Sequence, residues 1–277
     1  GSMMGAIMAR GAPRGIGFSH LIGTGNEADL TASEIAGMLV EDPGVDAVLL
    51  FLEAIRAPEK LAAADPTILL ACWKTPLLPA VLPARLRYVC YLTGSIKTLV
   101  TRAHLEQGLL LTNWGGAISR VVAECALLHT LTCLRRATQW TFAMHQKGAW
   151  KNGPTEAVSL FERRVGIHGF GPVAREFVRL IRPFNCAVTV FAPDVDAAHE
   201  REFGLRRASS LEALFAGSDV LVELAPLIPA TTGLIDEKLL RLLPPGAAFV
   251  NVGRGAVVDE AALIRVAREG QIQFGLD

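Results

Sequence analysis

"VGIHGFGPVAREFVRLI", Val165 to Ile181, is the stretch on which the fold turns. An apolar strand, Val165–His168, runs straight into Gly169-Phe170-Gly171 and then into a stretch of helical periodicity. Gly169 permits a tight turn, and Gly171 lets the backbone come close to a pyrophosphate. The N-terminus of the helix, which opens on Pro172 and Val173, then presents the free N–H groups of its non-proline residues and the positive end of the helix dipole. Ala174 stands where the fingerprint has its third glycine, and a methyl there still allows close packing of helix on strand. A lone G-x-G-x-x-A says little. Between a strand and a helix, with further strand–helix units after it, it points to a dinucleotide.

Those further units are present. "RVGIHGF", "AVTVFAP", "SDVLVELAP", "AAFVNVG" and "IQFGLD" are the expected strands, and "GPVAREFVRLIRPF", "SLEALFAG" and "DEAALIRVAREG" the helices among them. The second strand should end on an acid for the adenosine ribose. Ala192 holds that place and Asp194 follows two residues later, either reaching the ribose or capping the next turn. NAD and NADP both remain open. His168 reads as a histidine packed behind the phosphate loop.

The front half alternates in the same way. "FSHLIG", "DAVLLFL", "PTILLACW", "LRYVCYL" and "GLLLTN" read as buried parallel strands, with "TASEIAGMLVED", "PEKLAAAD" and "IKTLVTRAHLEQ" as helices. Thr31 with Glu34 forms a cap signal for the first of these. The expected architecture is α/β: a flavodoxin-like parallel-sheet lobe over residues 1–112, then a Rossmann dinucleotide-binding domain over 113–277. A long helix over about 117–147 is expected between them, either bridging the lobes or building a subunit interface, or else packing as core.

The composition excludes several classes. Lysine plus arginine (27) balances aspartate plus glutamate (27), and no basic stripe carries interleaved aromatics, so a nucleic-acid partner is not expected. No apolar run approaches the ~20 residues of a membrane span. Five cysteines (Cys72, Cys90, Cys125, Cys133, Cys186), odd in number and without a C-x-x-C pair, read as buried free thiols in a reducing compartment. The expectation is a soluble, cytoplasmic protein without a metal site. The leading "GSM" reads as an expression scar.

From about residue 60 to the end the sequence resembles the NAD(P)-dependent D-2-hydroxyacid dehydrogenases. The stretches that carry the resemblance are "LPARLRYVCYLTGSIKTLV", "GLLLTNWGGAISRVVAECALLH", "VGIHGFGPVAREFV", "ELAPLIPATTGLIDEKLLRLLPPGAAFVNVGRGAVVDEAAL" and "GQIQFGLD". The resemblance implies hydride transfer between NAD or NADP and a small 2-hydroxy or 2-oxo acid. It makes Arg254, in "VNVGRG", the arginine that grips the substrate carboxylate, and its planar fork suits that task. A surface ion pair is the plainer reading of Arg254. By the same resemblance the backbone at Gly94 and Ser95 holds the substrate carboxylate. Gly169, Phe170, Gly171, Pro172, Val173, Asp194 and Gly253 bind the cofactor; Ala225, Pro226 and Val252 line the nicotinamide; Asp277 holds the carboxamide. A homodimer is compatible with the family's long helix. In that family the general base and its carboxylate follow the "GLD" strand, where this sequence stops, so the resemblance implies a C-terminally truncated chain with little or no turnover.

Residues from about 4 to 58, with "GIGFSHLIGTGNEADLTASEIAGMLVEDPGVDAVLLFLEAI" at their centre, resemble instead the succinyl-CoA-ligase-like domain of NDP-forming acyl-CoA synthetases. A mosaic of two families is the expectation. That chemistry needs a phosphorylatable histidine in a later loop; His20 reads as structural and Glu53 as a strand-end acid. Two further readings stand beside the dehydrogenase: a chimeric α/β scaffold that at most binds dinucleotide, and an acyl-CoA-synthetase-like fragment.

Overall fold

A computed structural model describes residues 9, 11–23, 30–45, 48, 51–52, 67–72, 75–148 and 157–277. The expected strand-end acid Glu53 and helix "PEKLAAAD" lie outside the described residues. The chain divides into two compact units, Gly1–Gly115 and Gly116–Asp277.

In the first unit four parallel strands, β1 (Phe51–Leu52), β2 (Ile68–Ala71), β3 (Tyr88–Tyr91) and β4 (Leu110–Thr112), lie side by side in chain order. Leu69, Ala71, Val89, Tyr91, Leu99 and Leu109 form its core. The helix Ala32–Val40 begins with the expected capping box: the Thr31 hydroxyl accepts the Glu34 amide, and the Glu34 carboxylate accepts the Thr31 amide. Two expectations fail here. "FSHLIG" is not a strand; Phe18, Leu21 and Ile22 are exposed and pair with no strand among the described residues. The helix expected over "IKTLVTRAHLEQ" shrinks to Arg102–Glu106, because Leu99 and Val100 turn inward and Thr101 is extended at the cap.

In the second unit six parallel strands are β5 (Arg164–His168), β6 (Ala187–Phe191), β7 (Leu205–Arg207), β8 (Val220–Glu223), β9 (Ala248–Asn251) and β10 (Gln273–Leu276), ordered β10-β9-β8-β5-β6-β7. This is the doubly wound order, in which the chain leaves β5 toward one edge and returns through β8 toward the other. On one face the helices Ser119–Leu134 and Pro172–Ile181 bury Ala123, Ala126, Ala174, Phe177, Val178 and Ile181 against Val165, Ile167, Val222 and Val250. On the other, Leu214, Phe215, Leu239, Leu240 and Val266 pack on Leu221 and Phe249. Helix Pro172–Ile181 buries positions i, i+3, i+4 and i+7, which a 3.6-residue period places on one stripe. Strand β7 escaped the sequence reading because only Leu205 of its three residues is buried.

The single long helix expected over 117–147 is two, Ser119–Leu134 and Ala137–Lys147. Arg136 breaks it, with φ 53° and ψ 32°, and the freed Leu134 carbonyl accepts the Val158 amide at 2.9 Å. The first of these helices crosses β10 at Gly275, where a Cβ would stand 2.9 Å from His129 Cβ and 3.2 Å from Cys133 Sγ. Of the five cysteines only Cys72 and Cys133 are buried; Cys90, Cys125 and Cys186 are half-buried. No described helix is long and apolar enough to cross a membrane.

Candidate functional site

The C-terminal ends of β5, β8 and β9 carry three turns that touch one another. After β5, Gly169 has φ +87°, and a Cβ there would lie 2.7 Å from both Cα and N of Ala225. Only glycine satisfies both the backbone angle and the clearance. After β9, a Cβ on Gly253 would meet Glu223 O at 3.3 Å and Leu224 Cα at 3.6 Å. The phosphate-loop turn, the turn 224–226 and the turn 252–254 therefore form one continuous rim over the point where the strand order reverses.

Gly171 differs from both. Its φ of −78° and ψ of −173° are open to any residue, and a Cβ would meet nothing within 4 Å. Nothing among the described residues requires glycine there; the open space suits a group that approaches the backbone from outside. Gly171 also caps helix Pro172–Ile181 without a side chain, whereas the helices behind Asp196, Ser210, Asp236 and Asp259 are each capped by one. The N–H groups at the head of Pro172–Ile181 are left open for an anion. The Phe170 side chain is turned down into the unit, edge-on to Phe203 at 5.3 Å and under the Arg175 guanidinium at 5.4 Å, so its backbone alone faces the turn.

Beyond β6, Ala192 is half-buried and Asp194 exposed. The next helix is capped by Asp196, which accepts the amides of Ala198 and His199 at 2.9 Å, so capping is not the work of Asp194. On the other side, Ala225 and Val252 are buried and Pro226 exposed. The Pro226 carbonyl accepts the Thr231 hydroxyl at 2.6 Å, which braces the loop. Asn251 organises the turn after β9: Oδ1 accepts the Gly253 amide (2.9 Å) and Nδ2 donates to Arg254 O (3.2 Å). The Arg254 side chain is exposed, its NH1 donating only to Gly253 O, with no ion pair among the described residues. The plainer reading, a surface ion pair, therefore finds no support. Asp277 is exposed just past β10, its amide bonded to Asn251 O at 3.1 Å. In the first unit, Gly94 and Ser95 follow β3, and Asn113 Nδ2 donates to Gly94 O at 2.6 Å.

The sequence model of the D-isomer specific 2-hydroxyacid dehydrogenase NAD binding domain matches residues 127–277, more than half of the chain. The chain belongs to this family. Its second unit is a Rossmann-like NAD-binding domain of that family, and residues 1–68 match the succinyl-CoA ligase like flavodoxin domain. A hydroxyphenylpyruvate reductase of Plectranthus scutellarioides is 30% identical over 174 residues, 62% of this chain and 54% of the relative. A D-3-phosphoglycerate dehydrogenase of Sus scrofa is 28% identical over 61% of this chain and 31% of its own length. The chain thus spans about half, or less, of these relatives. Among solved structures, a glyoxylate reductase from Paecilomyes thermophila superposes with a TM-score of 0.69 at 25% identity, covering 80% of this chain and 69% of the other.

The structure gathers all the expected cofactor residues of the second unit, with Arg254, at the C-terminal ends of β5, β6, β8, β9 and β10. The sequence reading passed over Glu223 and Asn251. Both were marked by position, as polar residues closing the apolar runs "VLVE" and "AFVN", whose strands are buried throughout.

Proposed function

We propose that the second unit binds NAD or NADP, with the pyrophosphate on the turn Gly169–Val173, and that the protein reduces a small 2-oxo acid or oxidises the matching 2-hydroxy acid. The observation that carries this is Gly171: a glycine that neither its own backbone angle nor any neighbour requires, at the head of an uncapped helix. The bound dinucleotide would supply the hydride chemistry. The chain's residues bind and orient. Gly171 and Val173 would present backbone N–H groups to the pyrophosphate, Pro172 having none. Asp194 is the acid available to the adenosine ribose. Ala225, Pro226 and Val252 would line the nicotinamide, Gly253 would allow close approach, and Asp277 would hold the carboxamide.

Arg254 is the group proposed for the substrate. Among the described residues its exposed guanidinium has no carboxylate partner, and it can grip a carboxylate through two parallel hydrogen bonds while drawing charge from the neighbouring C–O. The Asn251 bonds on either side hold the turn in place, which converts binding into alignment. For Gly94 and Ser95 the proposed role is backbone hydrogen bonding to a substrate carboxylate, argued for the first unit alone.

The test is a fluorescence titration of NADH and NADPH, followed by glyoxylate or hydroxypyruvate in the same cuvette. Saturable binding with loss of reduced cofactor supports both halves of the proposal. Binding without oxidation leaves a dinucleotide-binding protein, and absence of binding refutes the assignment.

A further inference from the structure

One carboxylate lies beneath the rim with both oxygens engaged. Glu223, the last residue of β8, is fully buried. Its Oε2 accepts His168 Nδ1–H at 2.6 Å, and its Oε1 accepts the Ala225 amide at 2.7 Å. His168 is itself buried, is the register partner of Glu223 across the two strands, and has Phe191 on its other side with ring centroids 6.0 Å apart. One side-chain pair thus ties the last residue of β5 to the backbone of the turn after β8.

We propose that His168 and Glu223 are positioning residues for the dinucleotide, holding the phosphate loop and the turn 224–226 in register; this rests on the dinucleotide reading above. The mechanical link is Ala225. Glu223 fixes its amide, and Gly169 packs against that amide with no room for even a methyl group. A second bond, from the Leu224 amide to His168 O at 2.9 Å, joins the same two turns through the backbone. Movement of Ala225 therefore passes to Gly169, and two residues on to Gly171 at the helix head. The pair is not what the core requires. Leu221, two residues earlier on the same face of β8, is apolar and packs with Phe215 and Phe249. A buried carboxylate is costly to desolvate and adds little net stability over an apolar residue of its size. Its gain is a defined geometry, and that geometry is delivered to the two turns named for the cofactor.

The test is a double-mutant cycle read in dinucleotide affinity. Glu223→Gln, His168→Phe and the double variant are titrated with NADH and NADPH well below the lowest unfolding temperature. Glu223→Gln keeps an acceptor for the Ala225 amide while altering the bond to His168. Gly166→Ala serves as a control. It strains the same strand, β5, through a Cβ that would overlap Ser218 Oγ, without touching the pair. Each single variant is expected to raise Kd about tenfold, and the double no more than either single, because both break one unit. Gly166→Ala is expected to lower the unfolding temperature and leave Kd unchanged. Folded variants within about twofold of the parent affinity would overturn the inference. So would an additive, roughly hundredfold loss in the double, or a Gly166→Ala protein whose Kd rises as much as that of Glu223→Gln. If another variant does not fold, the Glu223→Gln affinity decides by the same criterion. A parent protein that binds neither dinucleotide would defeat the underlying reading itself, a different result from parent binding that the variants share.

Discussion

Replacing Gly171 by alanine separates folding from binding. The backbone at this position, φ −78° and ψ −173°, is one that alanine adopts without strain, and the new methyl group would meet no atom within 4 Å. Reducing the freedom of the unfolded chain should stabilise by about 0.4–1 kcal/mol. Losing glycine at a helix N-cap should cost a similar amount. Net stability should therefore stay within about 1 kcal/mol of the parent. The methyl group fills the space through which a pyrophosphate would reach the N–H groups at the helix head. Two hydrogen bonds to a charged group, each contributing about 1.5–3 kcal/mol, would be lost or lengthened. Kd for NADH or NADPH should rise by about 100-fold or more. Urea denaturation measures the first quantity and fluorescence titration the second. Binding within about threefold of the parent would refute the placement of the pyrophosphate. A stability loss above about 2 kcal/mol would refute the claim that Gly171 has no internal role.

Three other outcomes follow from the second unit. Arg164 holds the Asp219 carboxyl below its usual range, through hydrogen bonds at 2.6 and 3.2 Å. A lowered folded value stabilises at pH above the unfolded carboxyl value and loses that contribution as pH falls through the folded one. Asp219→Asn should thus cost about 1 kcal/mol at pH 7, discounted for a half-exposed arginine, and urea curves at about pH 3 should show the gap shrinking; an unchanged gap would contradict this. Burial pushes the Cys133 thiol up to about 11, so iodoacetamide at pH 8 should modify Cys90 well before Cys133, as peptide mass mapping would show; equal rates would contradict the packing of Cys133. Gly275→Ala should cost about 1–3 kcal/mol in urea denaturation, since its Cβ would press on His129 and Cys133; a neutral effect would mean that helix Ser119–Leu134 does not cross β10 there.

The second unit was far more legible than the first. Strands β5, β6, β8, β9 and β10 are apolar runs bounded by turns, and Gly169 and Gly171 stand at the one strand–helix junction with the phosphate-loop spacing. β7 could not be read, because an edge strand with one buried residue has no apolar signature. The break at Arg136 was also hidden: no proline or glycine marks it, and the turn is completed by Val158, more than 20 residues on. In the first unit "FSHLIG" has the composition of a strand, but a strand exists only through a neighbour, and sequence alone does not supply one. At the rim, the residues that would touch a ligand were visible as motifs. Glu223 and Asn251 were not, because their work is done on backbone amides that only the folded turns bring to them.

The most direct measurement is a crystal structure of the chain grown with saturating NADH or NADPH. The account predicts pyrophosphate density at hydrogen-bonding distance from the Val173 amide, over the open side of Gly171, with the nicotinamide on the Ala225–Val252 side of the rim. A dinucleotide seated anywhere else on the molecule would contradict it.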